Sequence, residues 1–208
     1  MQEIIIEIMN NFGYLGIMFL IFIENIFPPI PSEVILTFGG FATTLPSSEI
    51  NVVGVIVFST IGAVIGALAL YFIGRILKKE RLMRLVEGKV GKTLRFKPED
   101  IEKADTWFNK HGNATVFFCR FIPIIRSLIS IPAGINGMNI PKFLLFTTIG
   151  TLIWNSILTI LGSILGENWT KIADIVDLYG NIVLVLIIVL FVIGVIVYYN
   201  KRIKEKKL

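Results

Sequence analysis

The sequence predicts an all-α integral membrane protein. The expected architecture is an inverted repeat with two re-entrant helical hairpins entering from opposite faces, about three to four spanning helices and a cytoplasmic amphipathic helix. Three observations carry that expectation. There are long runs without charge, basic residues are distributed unevenly, and two apolar stretches are broken by proline yet hold charged side chains.

The runs come first. Of 208 residues, 54% are hydrophobic and 17% charged, against about 25% charged in a soluble domain, and mean hydropathy is +0.77. Asn51–Gly74, Phe143–Gly166 and Ile182–Tyr199 hold no charged residue. Each is long enough, or nearly so, to cross a hydrocarbon core of about 30 Å. Met1–Asn11 contains Glu3 and Glu7 and no basic residue, so it does not read as a cleavable signal peptide. Ile4–Ile23 carries too few charges to decide between a full span and an interfacial position.

Charge asymmetry then sets the topology. Of 20 Lys and Arg, 11 lie in 75–110 and five in 201–207, which places both segments in the cytoplasm. The net charge of +5 therefore speaks to orientation and not to nucleic acid. Asn51–Gly74 runs inward, Phe143–Gly166 outward and Ile182–Tyr199 inward again, leaving the C-terminus cytoplasmic. The apolar stretch 113–141 must then begin and end on the same side. It dips in and returns.

The breaks supply the bends. Pro123, Pro132 and Gly134 interrupt the second stretch, and Pro28, Pro29 and Pro31 the first, because each proline removes a helical hydrogen bond. Backbone broken at membrane depth survives only under protein or beside a watery cavity. NNFGYLGIMFLIFIENIFPPIPSE and NKHGNATVFFCRFIPIIRS share an order of polar residues, glycine, apolar run, charge, proline and second charge. The expected domain is thus single, 1–208. Its first repeat is 1–74 with hairpin 24–46, followed by a cytoplasmic basic segment at 75–112. The second repeat is 113–166 with hairpin 113–141, then a last spanning helix at 179–200 and a basic tail at 201–208. Pro98, followed by Glu99 and Asp100, suits a helix start, and Ile101, Ala104, Trp107 and Phe108 share one face of an interfacial or packed helix.

Four charges fall inside the broken stretches: Glu24, Glu33, Arg120 and Arg126. A charge at bilayer depth costs about 2.5–3.5 kcal/mol on insertion scales and usually marks a pathway. Each guanidinium presents a donor fork that matches a phosphate, so Arg120 and Arg126 are the candidate phosphate-binding residues. Glu24 and Glu33 can titrate and are candidates for proton coupling or for charge pairing with the arginines. Pairing alone, with no further role, is the competing expectation. The repeated Gly62, Gly66 and Gly74 read as close packing, as do Gly150 and Trp154, while Thr151, Asn155 and Thr159 are polar enough to line a cavity. His111 is the only histidine and Cys119 the only cysteine. Catalytic pairs, multi-cysteine metal sites and disulfides are therefore not expected, nor is any cofactor.

These residues carry a family resemblance. ENIFPPIPSEVIL, GAVIGALALYFIGR (62–75), FFCRFIPIIRSLISIPAG (117–134) and GTLIWNSIL (150–158) resemble the DedA family of bacterial inner-membrane proteins, whose wider superfamily shares a domain with eukaryotic lipid scramblases. The resemblance implies opposed re-entrant hairpins, a multi-pass protein of the bacterial plasma membrane, and movement of lipid across the bilayer. Its implied partners are undecaprenyl phosphate or a phospholipid, and protons; it leaves a homo-oligomer open. Glu24, Glu33, Arg120 and Arg126 are the positions it carries over. Ala67 stands where many members have an acidic residue, so no proton relay is assigned to that helix. A small-cation or drug/proton antiporter and a non-transporting assembly factor are the rival readings.

Overall fold

The computed structural model describes residues 2–27, 32–46, 48–77, 81, 83, 98–123 and 125–204. Every regular element among them is helical: α1 (Gln2–Ile26), α2 (Ser32–Ala42), α3 (Val52–Leu77), α4 (Pro98–Cys119), α5 (Ile125–Leu128), α6 (Ser130–Ile135), α7 (Ile140–Leu165), a 3-10 turn (Gly166–Asn168) and α8 (Trp169–Lys204). Pro28, Pro29 and Pro31, expected to break the first hairpin, lie outside the described residues, as do most of the basic segment between α3 and α4 and the last four residues.

Val52–Leu77 and Ile140–Lys171 are long and apolar enough to cross a membrane. They also leave many large apolar side chains uncovered, among them Val57, Ile61 and Ile65 on α3 and Leu152, Ile157 and Ile164 on α7. A soluble monomer rarely exposes apolar surface on that scale. The two helices pack antiparallel, since Ser59 meets Asn155 while Tyr71 stacks obliquely on Phe143 at 4.8 Å.

Two helices carry features that bear on the broken stretches. Ile4–Ile23 is not one straight segment, because Gly13 has φ 53° and ψ −127°, a conformation that costs glycine little and other residues much. Beyond that kink α1 runs beside α3 in the same direction, with Tyr14 against Gly54, Met18 against Gly62 and Asn25 against Gly66. In the second half, α4 starts at Pro98 as expected but continues without a break through Gly112 to Cys119. The amphipathic segment and the limb that leads to Arg120 are one helix. Its Phe108 is buried, whereas Trp107 points outward.

The two halves interlock by one repeated contact. The short helix α2 crosses α7, where a Cβ on Gly40 would lie 2.0 Å from the Thr159 carbonyl oxygen and one on Gly162 2.1 Å from that of Thr37. The short helix α6 crosses α3 in the same way, with Gly134 against the Tyr71 carbonyl (2.0 Å) and Gly74 against that of Ile131 (2.2 Å). Each crossing thus sets a glycine of the short helix against the long helix of the other half. Only glycine permits approach this close, the small-residue packing that helices use in lipid.

Candidate functional site

Glu24 lies in the last turn of α1, Glu33 in the first turn of α2, Arg120 just beyond α4, and Arg126 on α5. All four are buried, with Glu24 at 3%, Glu33 at 6%, Arg120 at 2% and Arg126 at 4% exposure. The fold gathers them, from positions nearly a hundred residues apart, into one cluster whose members act on one another electrostatically. Two acids and two bases leave it formally neutral.

The members are held differently. Arg126 Nη2 donates to Glu24 Oε2 at 2.8 Å, a charge-assisted contact. Asn25 Nδ2 donates to the same oxygen at 3.1 Å and to the Ile21 carbonyl at 3.0 Å, which fixes the acceptor. Arg120 meets neutral partners. Its Nη2 donates to Ser130 Oγ at 3.1 Å and to Thr147 Oγ1 at 3.0 Å, its guanidinium carbon stands 6.0 Å from the centre of the Phe143 ring, and its Nε has no partner. Among the described residues no carboxylate lies within ion-pair distance of Arg120. The Glu33 carboxylate likewise makes no ion pair or hydrogen bond there; only its backbone carbonyl is used, by Thr37 Oγ1 at 2.6 Å. Its place in the first turn of α2 sets it at the positive end of that helix.

Local sequence explains the positions. The chain turns at Arg120–Pro123, where backbone bonds shorten to Phe117–Arg120 and Phe118–Phe121 steps before α5 begins. Pro132 lies on α6; it has no N–H for the Leu128 carbonyl four residues back, and α5 ends at Leu128. Gly134 serves the crossing with α3, and Gly137, with φ 65°, makes the turn into α7. Thr147 follows on α7, which begins with Pro141 at its start and the Asn139 side chain accepting from the Lys142 amide.

Asn25, Ser127, Ser130 and Thr147 were not identified from the sequence as members of this site. The available signal was a polar residue inside an apolar run, and it does not say which charge that residue faces. Ser127 Oγ is buried without a partner. A separate cavity of about 650 Å³ lies at the α1 kink and the loop after α2, lined by Asn11, Tyr14, Phe38, Ser48 and Glu49 among others. None of the four clustered charges lines it.

Buried charges held between interrupted helices, inside a shell of exposed apolar side chains, are the pattern of a helical membrane protein. The chain belongs to the VTT-domain family, which includes the DedA proteins: the VTT domain matches residues 30–164. It is 61% identical over 97% of its length to an "alkaline phosphatase-like protein" of Lactococcus lactis subsp. cremoris, covering 94% of that protein. It is 40% identical over 99% of its length to "undecaprenyl phosphate transporter A" of Staphylococcus aureus, covering all of it. The protein of that name in Bacillus subtilis is 35% identical, with 91% of each chain covered. No solved structure matches.

Proposed function

We propose that this protein is a transporter of the bacterial plasma membrane that returns undecaprenyl phosphate, or a closely related phosphate lipid, from the outer to the inner leaflet. The observation that carries the reading is Arg120: a buried guanidinium with an unused donor, held by two hydroxyls and no carboxylate. A phosphate would take the free donor edge of Arg120, and Ser130 and Thr147 can rotate their hydroxyls to donate to it. The names of the relatives at 40% and 35% identity supply the lipid.

In this reading Arg126 is the second phosphate ligand and is released when the lipid displaces Glu24. The displaced carboxylate would then be left in a buried place without its partner, which is costly, and a proton taken up from outside compensates it. Glu33, already without a partner, can carry the same role. The turn at Arg120–Pro123 becomes the tip of a re-entrant hairpin, and the reciprocal glycine crossings support the inverted repeat. The polyprenyl tail stays in lipid, beside the exposed faces of the long helices. The loop between α3 and α4 and the tail after α8 face the cytoplasm, and a homo-oligomer fits the reading as well as a monomer does.

The name carried by the Lactococcus relative favours one second reading, hydrolysis of a phosphate ester.

Purified protein in liposomes with labelled undecaprenyl phosphate tests both readings. Flipping should accelerate, more so with the outside acidic, and Arg120→Lys should slow it at least tenfold while leaving the thermal transition close to that of the parent. No acceleration with or without a gradient sinks the transporter reading. Release of inorganic phosphate would support hydrolysis, and proton movement driven by added cations without lipid would support an antiporter.

A further inference from the structure

Beyond the four charges, α7 carries a row of polar side chains on one buried face. Thr147, Thr151, Asn155 and Thr159 follow one another at a four-residue spacing, which stacks them one above the next along a helix. The row extends about 18 Å at 1.5 Å per residue, and all four residues are buried. Thr147 belongs to the site already described, since it accepts from Arg120. The rest lead away from it.

The far half of this row is left with unspent hydrogen-bonding capacity. Asn155 Nδ2 donates to Ser59 Oγ at 3.1 Å and Thr60 Oγ1 at 3.3 Å on α3, but Asn155 Oδ1 has no partner. Thr159 Oγ1, one turn further on, has none either, and the neighbouring Trp154 contributes an unpartnered Nε1–H. Three such atoms within two turns of α7 stand out, because buried polar groups are satisfied in nine cases of ten or more. Leaving one bare costs about 1–3 kcal/mol. A buried water with two to four polar partners offsets that cost, and Asn155 and Thr159 are an i and i+4 pair, neighbours on one helix face.

We propose that the α7 face Thr147–Thr151–Asn155–Thr159, with Ser59 and Thr60 of α3 opposite, is a hydrated lane that extends the arginine site along the long helix and conducts the coupling proton. Its role in proton movement rests on the transporter reading; its hydration does not. The transfer is balanced at every step, since each water or hydroxyl accepts a proton on one side and passes another on. Arg120 beyond α4 is the charged group in contact with the lane, through Thr147; Glu24 of α1, Glu33 of α2 and Arg126 of α5 belong to the cluster around it, and α3 brings the hydroxyls of Ser59 and Thr60.

Hydration is read first, without any transport assay. In a Cys119→Ser background, Thr159→Cys, Thr151→Cys and the lipid-facing Ile157→Cys are treated with a small hydrophilic methanethiosulfonate. The lane cysteines should react at least tenfold faster than Ile157→Cys; equal rates overturn the hydrated lane. Thr159→Cys is the cleanest, because its hydroxyl holds nothing in place. Coupling is read second, on Thr151→Val/Thr159→Val, which removes both hydroxyls and keeps the shape. It should bind undecaprenyl phosphate as the parent does and lose at least tenfold of the acceleration that an acidic exterior gives, with Thr159→Ser restoring most of it. Parental gradient dependence in the valine variant overturns the conducting role. If the parent protein itself moves no lipid, the transporter reading fails, and fast labelling of the lane still stands.

Discussion

Arg126 and Arg120 are equally buried and differently held. Arg126 faces a carboxylate at 2.8 Å that is itself steadied by Asn25; Arg120 faces two hydroxyls and an aromatic ring and keeps an unpartnered donor. The first arrangement resembles a latch and the second a seat. Removing half of a buried ion pair strands a charge, whereas a guanidinium held by neutral groups can accept an anion without first breaking one. Within one cluster, Arg126 is tied to α1 through Glu24, whereas Arg120 keeps a donor that no neighbour uses.

Breaking the latch should have the largest effect. Glu24→Ala, with Arg126 left in place, is expected to cost about 3–5 kcal/mol of stability, read from unfolding in detergent. The Glu24→Ala/Arg126→Ala pair should recover part of that loss. A double variant as damaged as the sum of the singles would show that the two do not act as a unit.

The glycine crossings come next, because they position both residues. Gly40→Ala and Gly134→Ala each drive a methyl group into a backbone carbonyl that has no rotamer to escape through. About 3 kcal/mol is expected for each, at the upper end of overpacking costs. The two should be alike if the crossings are equivalent, and a silent Gly134→Ala beside a damaging Gly40→Ala would break that equivalence.

The seat itself should give the smallest change in stability and the clearest change in function. Thr147→Val removes one neutral partner of Arg120 and is expected to cost about 2 kcal/mol, in the range for hydrogen bonds to charged groups. Lipid-phosphate binding should weaken in the same variant, while Asn25→Leu, which touches the latch, should leave binding nearer to the parent's. Equal binding losses in the two would erase the distinction between Arg126 and Arg120.

Much of the site was legible in the chain before its fold was known. A charge inside a proline-broken apolar run is visible in one dimension, so Glu24, Glu33, Arg120 and Arg126 stood out. Pairing was not legible, because both acids and both bases lie in similar surroundings and the choice of partner depends on where the helices cross. Ser130 and Thr147 were invisible for a related reason: a single hydroxyl in an apolar helix has no periodic signature. The kink at Gly13 was not legible either, since one glycine in a long apolar segment gives no sign of adopting positive φ.

By itself the sequence determined the membrane class, the long helices and the four buried charges, because hydropathy, helix length and the cost of a charge in lipid act residue by residue. The tertiary structure decided that Glu24 latches Arg126, that Arg120 rests on hydroxyls, and that each short helix crosses the long helix of the other half. Those outcomes depend on glycine-to-carbonyl approaches and hydrogen-bond geometry between segments far apart in the chain, and no local pattern encodes them.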